Sequence, residues 1–239
     1  MKKQIIIFTI LAALLTVITN KSNAQKIYIG ITGGLSSPSG NFAKSDYNDN
    51  SSGFASSGSN IGVTGIFFLN KRFGIGGLIS YQHFGFKGLQ SLADGYKDAF
   101  DVDSTTVNTL GNNHTINILV GPYYSIPLTK LHIDFRLLVG LVNATLAGNE
   151  VYLEDNAATT FSQKQATASA FGTQLGVSLR YPVTHQVSIA AGIDYFYSNP
   201  NFTIENVNRH NNAGRILTNY NQPIAGLNAN LSLLFALSK

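Results

Sequence analysis

From Phe171 to Tyr197 the chain alternates apolar residues with small or polar ones almost without interruption. In the first run Phe171, Leu175, Val177, Leu179 and Tyr181 alternate with Gly172, Gln174, Gly176, Ser178 and Arg180. After the link PVTHQ, Val187, Ile189, Ala191, Ile193, Tyr195 and Tyr197 alternate with Ser188, Ala190, Gly192 and Asp194. A period of two sends successive side chains to opposite faces, so both runs read as strands, and the short link makes them an antiparallel hairpin. Each run has about the 9–11 residues that a strand needs to cross a bilayer, against about 5–6 for a strand of a water-soluble sheet.

The same unit recurs along the chain. Ile27, Ile29, Ile31 and Leu35 alternate with Tyr28, Gly30, Thr32 and Gly34; a second strand runs from about Asn60 to Leu69, with Ile61, Val63 and Phe67 on one face. Asn70-Lys71-Arg72 turns it into a third, carrying Phe73, Ile75, Ile79 and Tyr81. A fourth begins near His114 with Ile116, Ile118 and Val120. Past the turn Pro127-Leu128-Thr129 a fifth sets Leu131, Ile133, Phe135, Leu137, Val139 and Leu141 against His132, Asp134, Arg136, Leu138 and Gly140. The last, from about Pro223, places Ala229, Leu231, Leu233, Phe235 and Leu237 opposite Asn228, Asn230 and Ser232. Polar stretches at about Ser36–Ser59, Lys87–Asn113, Asn143–Ala168 and Asn199–Asn221 separate the hairpins. The expectation is an all-β fold: an eight-stranded antiparallel transmembrane up-and-down β-barrel with four long loops at one rim and short turns at the other. Its first and last strands pair to abolish the sheet edges.

Lys2 and Lys3 precede the apolar run Ile5–Ile18, and Ser22-Asn23-Ala24 supplies small residues for cleavage. Residues 1–24 therefore read as a signal peptide, since the run is shorter than the roughly 20 residues of a spanning helix. Residues 25–239 read as one barrel domain. Without Lys2, Lys3 and Lys21, 13 basic residues remain against 12 acidic ones, a net charge of +1. No basic patch is left to favour nucleic acid. Cysteine is absent, which excludes disulfides, thiolate metal sites and thiol catalysis.

Composition decides which face meets the surroundings. The polar face is Gly, Ser, Thr, Asn and Gln, and only 12% of residues are charged. A water-soluble barrel would expose a face rich in Lys and Glu. Small uncharged polar residues suit a narrow lumen filled by side chains, so the apolar face meets lipid. Two aromatic girdles are expected, Tyr81, Phe84, Tyr195 and Tyr197 near the long loops and Phe73, Tyr123, Tyr124 and Tyr181 near the turns.

With its leader ending Ser22-Asn23-Ala24, its alternating strands and its terminal Leu231, Leu233, Phe235, the chain resembles the small outer-membrane β-barrel proteins of Gram-negative bacteria. The OmpA/OmpX-like and porin-family barrels of the Bacteroidetes type are the nearest pattern. That resemblance implies an outer-membrane location, lipids as surroundings, and the barrel-assembly machinery as partner during insertion. The terminal alternation is similar to the signal that machinery reads, although the chain ends Ala236-Leu237-Ser238-Lys239 rather than on an aromatic. The periplasmic peptidoglycan-binding domain of larger relatives is expected to be missing. The long loops are expected outside the cell, where they would meet an extracellular ligand or host surface.

Some barrels of this kind modify lipid A, and the deacylases among them use a His-x-Ser pair. None of His83, His114, His132, His185 and His210 stands in such a pair. Asp98, Asp101 and Asp103 lack the Gly and terminal Glu of a calcium loop, and Glu154-Asp155 is an isolated pair. Gly33-Gly34 and Gly74-Ile75-Gly76-Gly77 lie inside strands, where they make room for larger neighbours instead of cradling phosphate. No cofactor, metal or catalytic residue is expected. The residues singled out are the ionisable groups on the polar face: Asp134, Arg136, Arg180 and Asp194. Their charges cancel, as an internal ion-pair network requires and an ion-selective ring does not. Asp134 is expected to pair with Arg180 on neighbouring strands, and Arg136 to reach Asp194 across the lumen. Two function classes follow: a non-enzymatic structural or surface-interaction barrel with a closed lumen (a narrow pore being its variant), and a lipid-modifying enzyme on the same scaffold.

Overall fold

The computed structural model describes residues 26–153, 161–208 and 214–237. The expected leader at 1–24, the Glu154-Asp155 pair and His210 lie outside these described residues. In chain order the strands are β1 (Lys26–Ser39), β2 (Ala55–Phe68), β3 (Phe73–Phe86), β4 (Thr105–Leu110), β5 (Asn113–Pro127), β6 (His132–Leu146) and β7 (Gly148–Leu153). There follow β8 (Phe161–Gln163), β9 (Ala166–Pro182), β10 (Val187–Ser198), β11 (Asn201–Asn208), β12 (Gly214–Asn221) and β13 (Ile224–Ala236). One α-helix, α1 (Leu89–Phe100), lies between β3 and β4.

Eight of these strands form a closed barrel in the order β1-β13-β10-β9-β6-β5-β3-β2, every pair antiparallel. Closure comes from β1 and β13, in register from Tyr28 opposite Ala236 to Ser39 opposite Ala225. The barrel strands are 12 to 17 residues long, enough to cross a bilayer even when tilted. Outward-facing Ile29, Ile31, Val63, Ile79, Ile118, Leu137, Leu175, Ile193 and Leu231 are 47–67% exposed. In water such a continuous apolar belt would be a severe liability; in lipid it is the solvent-facing surface. The opposite parity carries buried Thr64, Ser80, Asn117, Gln174, Ser178 and Asn228.

The turns are tight because short polar side chains satisfy their backbone. Asn70 Oδ1 accepts from the amides of Arg72 and Phe73, both at 2.8 Å. Thr184 Oγ1 accepts from those of Gln186 and Val187 at 3.2 and 3.0 Å.

At the other rim the structure departs from the expected irregular loops. β2 starts at Ala55 rather than near Asn60, and β6 runs on to Leu146. Beyond the rim, β12-β11-β8-β7-β4 form a second, five-stranded sheet, and α1 packs on β4 and β7. A small core of Leu92, Val107, Val151 and Leu153 holds this cap together. Around it Tyr47 packs edge-on to Tyr96 at 5.1 Å, and Tyr96 stacks on Phe161 at 5.6 Å. The segments 105–110 and 148–153 are short and half polar, so their alternation is buried in the polar composition around them.

Two girdle assignments are also corrected. Phe84 and Tyr123 are buried and face the lumen, while Tyr81, Phe73, Tyr181, Tyr195 and Tyr197 face outward. Neighbours in a strand cannot share a face, so Tyr123 and Tyr124 could not both reach lipid.

Candidate functional site

The lumen is where the four ionisable residues meet. Asp134 stands on β6 opposite Ser178 of β9, and Arg180 on β9 stands opposite His132. The two are thus diagonal neighbours on adjacent strands, a separation that a long side chain spans. Arg180 Nε donates to Asp134 Oδ2 at 2.7 Å and its Nη2 to Oδ1 at 3.2 Å. Both side chains are 3% exposed. The guanidinium also lies 4.8 Å from the ring centre of Tyr28 and 5.4 Å from that of Phe68. Aromatic faces there offset part of the cost of desolvating the cation.

The second pair is one level further from the turns. Arg136 Nε donates to Asp194 Oδ1 at 2.7 Å, and its Nη2 to Oδ2 at 2.6 Å. The route differs from the expected reach across the lumen. Arg136 and Asp194 both stand opposite Gly176, one from β6 and one from β10, so the pair passes over the wall strand between them. A Cβ at Gly176 would collide with Asp194 Oδ1 and lie 2.8 Å from Arg136 Nε. Asn230 Nδ2 donates to Asp194 Oδ2 at 2.7 Å, and Arg136 Nη1 donates to Ser178 Oγ at 3.1 Å. Each buried charge is therefore neutralised by a bidentate partner, and Arg136, Asp194 and Arg180 are held by further hydrogen bonds.

What space remains beside this network is a cavity of about 30 Å³, bounded among others by Asp134, Arg136, Gln174, Asp194 and Asn230. Room for a water molecule needs roughly 10–15 Å³ measured this way, so this cavity fits a water or two.

A second closure lies nearer the cap, and the strand pattern alone does not reveal it. Phe42, Phe84, Phe196 and Phe202 are at most 1% exposed and belong to one apolar cluster with Val142, Leu146 and Ile224. Phe42 comes from the 3-10 turn Gly40–Ala43 and meets Phe84 edge-on at 5.2 Å. Phe196 shares the parity of Asp194, so its lumen position was readable; Phe42 sits in a polar stretch with no periodicity to orient it.

No metal-binding cluster of His, Asp and Glu occurs among the described residues. His132 Nδ1 lies 3.4 Å from Ser125 Oγ. That hydroxyl is also engaged by Arg180 at 3.4 Å, and the nearby carboxylate, Asp134, is committed to the same arginine. A serine, base and acid relay is not assembled there.

Neither a known protein family nor a curated protein matches the chain. Among solved structures it is similar to a major outer membrane protein from Thermus thermophilus, with TM-score 0.53, 14% identity, and coverage of 90% of this chain and 100% of the other. OprG from Pseudomonas aeruginosa gives TM-score 0.48 at 12% identity, over 88% of this chain and 96% of that one. Ail of Yersinia pestis gives 0.42 at 14%, over 89% and 97%. The chain has the fold of the small outer-membrane β-barrels.

Proposed function

We propose that this chain is a non-enzymatic outer-membrane barrel that carries no traffic and serves as a membrane-embedded base for its folded cap. The observation that carries this reading is the double closure of the lumen. Two neutralised arginine–aspartate pairs fill two successive levels, and four buried phenylalanines lie nearer the cap. A pore would need a continuous wet path with charges free to meet ions. The commitment of Ser125 and Asp134 to Arg180, beside His132, supports the non-enzymatic part.

In this reading a signal peptide of residues 1–24 is cleaved before Gln25. The barrel-assembly machinery then recognises the outward-facing Leu231 and Phe235 of β13, and the finished barrel sits in outer-membrane lipid. A relationship to the Bacteroidetes porin-family barrels rests on the strand pattern and belongs to the same reading. The cap faces the outside, because outer-membrane barrels keep short turns toward the periplasm, and it meets an extracellular ligand or surface.

Two experiments test this. An epitope tag at Ser52 is labelled on intact cells and one at Thr129 is not; labelling at Thr129 alone reverses the orientation. Lipid A from cells with and without the gene gives the same mass spectrum, and a gene-dependent acyl or headgroup change would make the protein an enzyme.

A further inference from the structure

Between the barrel rim and the cap lies a chamber of about 680 Å³, within the range of about 300–1,000 Å³ typical of small-ligand sites. All four long connections contribute to its wall: Tyr47 to Phe54 before β2, Tyr96 of α1, Asn149 of β7, and Asn206 and Tyr220 of the β11–β12 hairpin. Its inner end abuts the apolar plug, since Leu146 and Ile204 belong to both. A chamber over a closed lumen is a dead end, suited to holding something rather than passing it.

The chemistry of the wall narrows what it holds. Seven of the twenty lining residues are Asn or Gln, and five are Tyr or Phe. Asp49 is the one side chain among them ionised at neutral pH, and it is already neutralised by Lys44 at 3.0 Å and hydrogen-bonded by Ser51. Among the described lining residues an ionic ligand would find no free counter-charge. Side-chain amides each offer donors and an acceptor, the complement of hydroxyl groups, while aromatic faces match an apolar ring face. One wall group lacks a partner. Asn113 is 2% exposed; its Oδ1 accepts from the Ala147 amide at 2.9 Å, but its Nδ2 has no acceptor among the described residues. That nitrogen is shielded from the chamber itself, so a ligand's polar contacts fall to the more open side chains of Asn149 and Asn206.

We infer that the chamber is a binding site for a neutral saccharide. The ligand is bound by amide–hydroxyl hydrogen bonds and by stacking on tyrosine, with Asn149 and Asn206 as polar contacts. This deepens the surface-interaction reading above and rests on it. The same chemistry is presented by a free oligosaccharide or by the glycan of the cell's own surface polysaccharide.

The test uses the full mature chain folded in a detergent without a sugar headgroup, because maltoside micelles would themselves compete. Maltotriose, cellotriose and tri-N-acetylchitotriose are titrated, alongside delipidated surface polysaccharide and a sulfated trisaccharide. Binding is read by calorimetry and by tyrosine fluorescence, the chain having no Trp. At least one neutral saccharide should bind saturably below about 1 mM, without salt dependence, and the sulfated one should not. Whether trisaccharide or polysaccharide binds more tightly separates the two sources. Asn149→Ala with Asn206→Ala should weaken binding about tenfold, as the loss of one to two hydrogen bonds implies. Variants are compared only as folded, heat-modifiable barrels. Failure of every neutral saccharide to bind the folded wild type would overturn the inference, as would binding that the two substitutions leave unchanged or that the sulfated sugar shares. A barrel that binds sugar yet conducts ions would overturn the closed-lumen reading alone.

Discussion

Arg136 and Asp194 form a bidentate ion pair over a strand that separates them, and they meet because Gly176 on that strand has no side chain. Both partners stand opposite Gly176 in the sheet register. Any larger residue there occupies the space of the carboxylate. Gly176→Ala should therefore lower stability by about 1–3 kcal/mol, the usual cost of overpacking, and Gly176→Val by more. Urea unfolding in lipid vesicles measures this. Equal stability of Gly176→Ala and wild type would mean the pair is not fixed by the glycine.

Arg180 is tied to Asp134 by two hydrogen bonds and clasped by Tyr28 and Phe68. Arg180→Ala leaves a buried carboxylate alone, at a cost of roughly 3–5 kcal/mol. The double variant with Asp134→Ala should cost less than the sum of the two single ones, because they share the interaction. Arg180→Lys should recover little, since an ammonium cannot reproduce the planar fork. The same unfolding series reports all three. Additive losses would show that the two residues do not act as a pair.

The inward placement of Asp134, Arg136, Arg180 and Asp194 is legible in the residues alone, because a period of two leaves no choice once one face is assigned to lipid. Parity could also have placed Phe84 and Tyr123 inward, had aromatic character not argued for the girdle. Parity carries no register, however. Whether Arg136 reaches Asp194 over Gly176 or across the lumen depends on how β6, β9 and β10 are staggered, and that is set by turns and by pairing along the whole barrel. The cap is hidden for a different reason. Its strands, such as Thr105–Leu110, are too short to show a period, and its helix buries only Leu92 and Ala93 deeply.

The cap should respond to acid before the barrel does. Asp49 accepts from the Ser51 hydroxyl and amide and from Lys44, which together lower its pKa from 3.8 to about 2. The Glu205 carboxyl is also held low, chiefly by Lys164 at 2.7 Å and further by Arg215 at 2.9 Å. A depressed folded-state pKa contributes stability above the unfolded value, and that contribution is lost as pH falls through the folded one. The cap segments 44–52 and 201–208 should thus gain hydrogen exchange between about pH 4 and about pH 2, while the barrel amides stay protected. Acid exchange that starts in the barrel would contradict this ordering.

Closure of the lumen is the claim on which the functional reading stands, and planar-bilayer recording of the purified wild type examines it without substitutions. With the pairs Arg180–Asp134 and Arg136–Asp194 on successive levels and Phe42, Phe84, Phe196 and Phe202 nearer the cap, inserted barrels should show no steady conductance. A stable open channel in most insertions would contradict it.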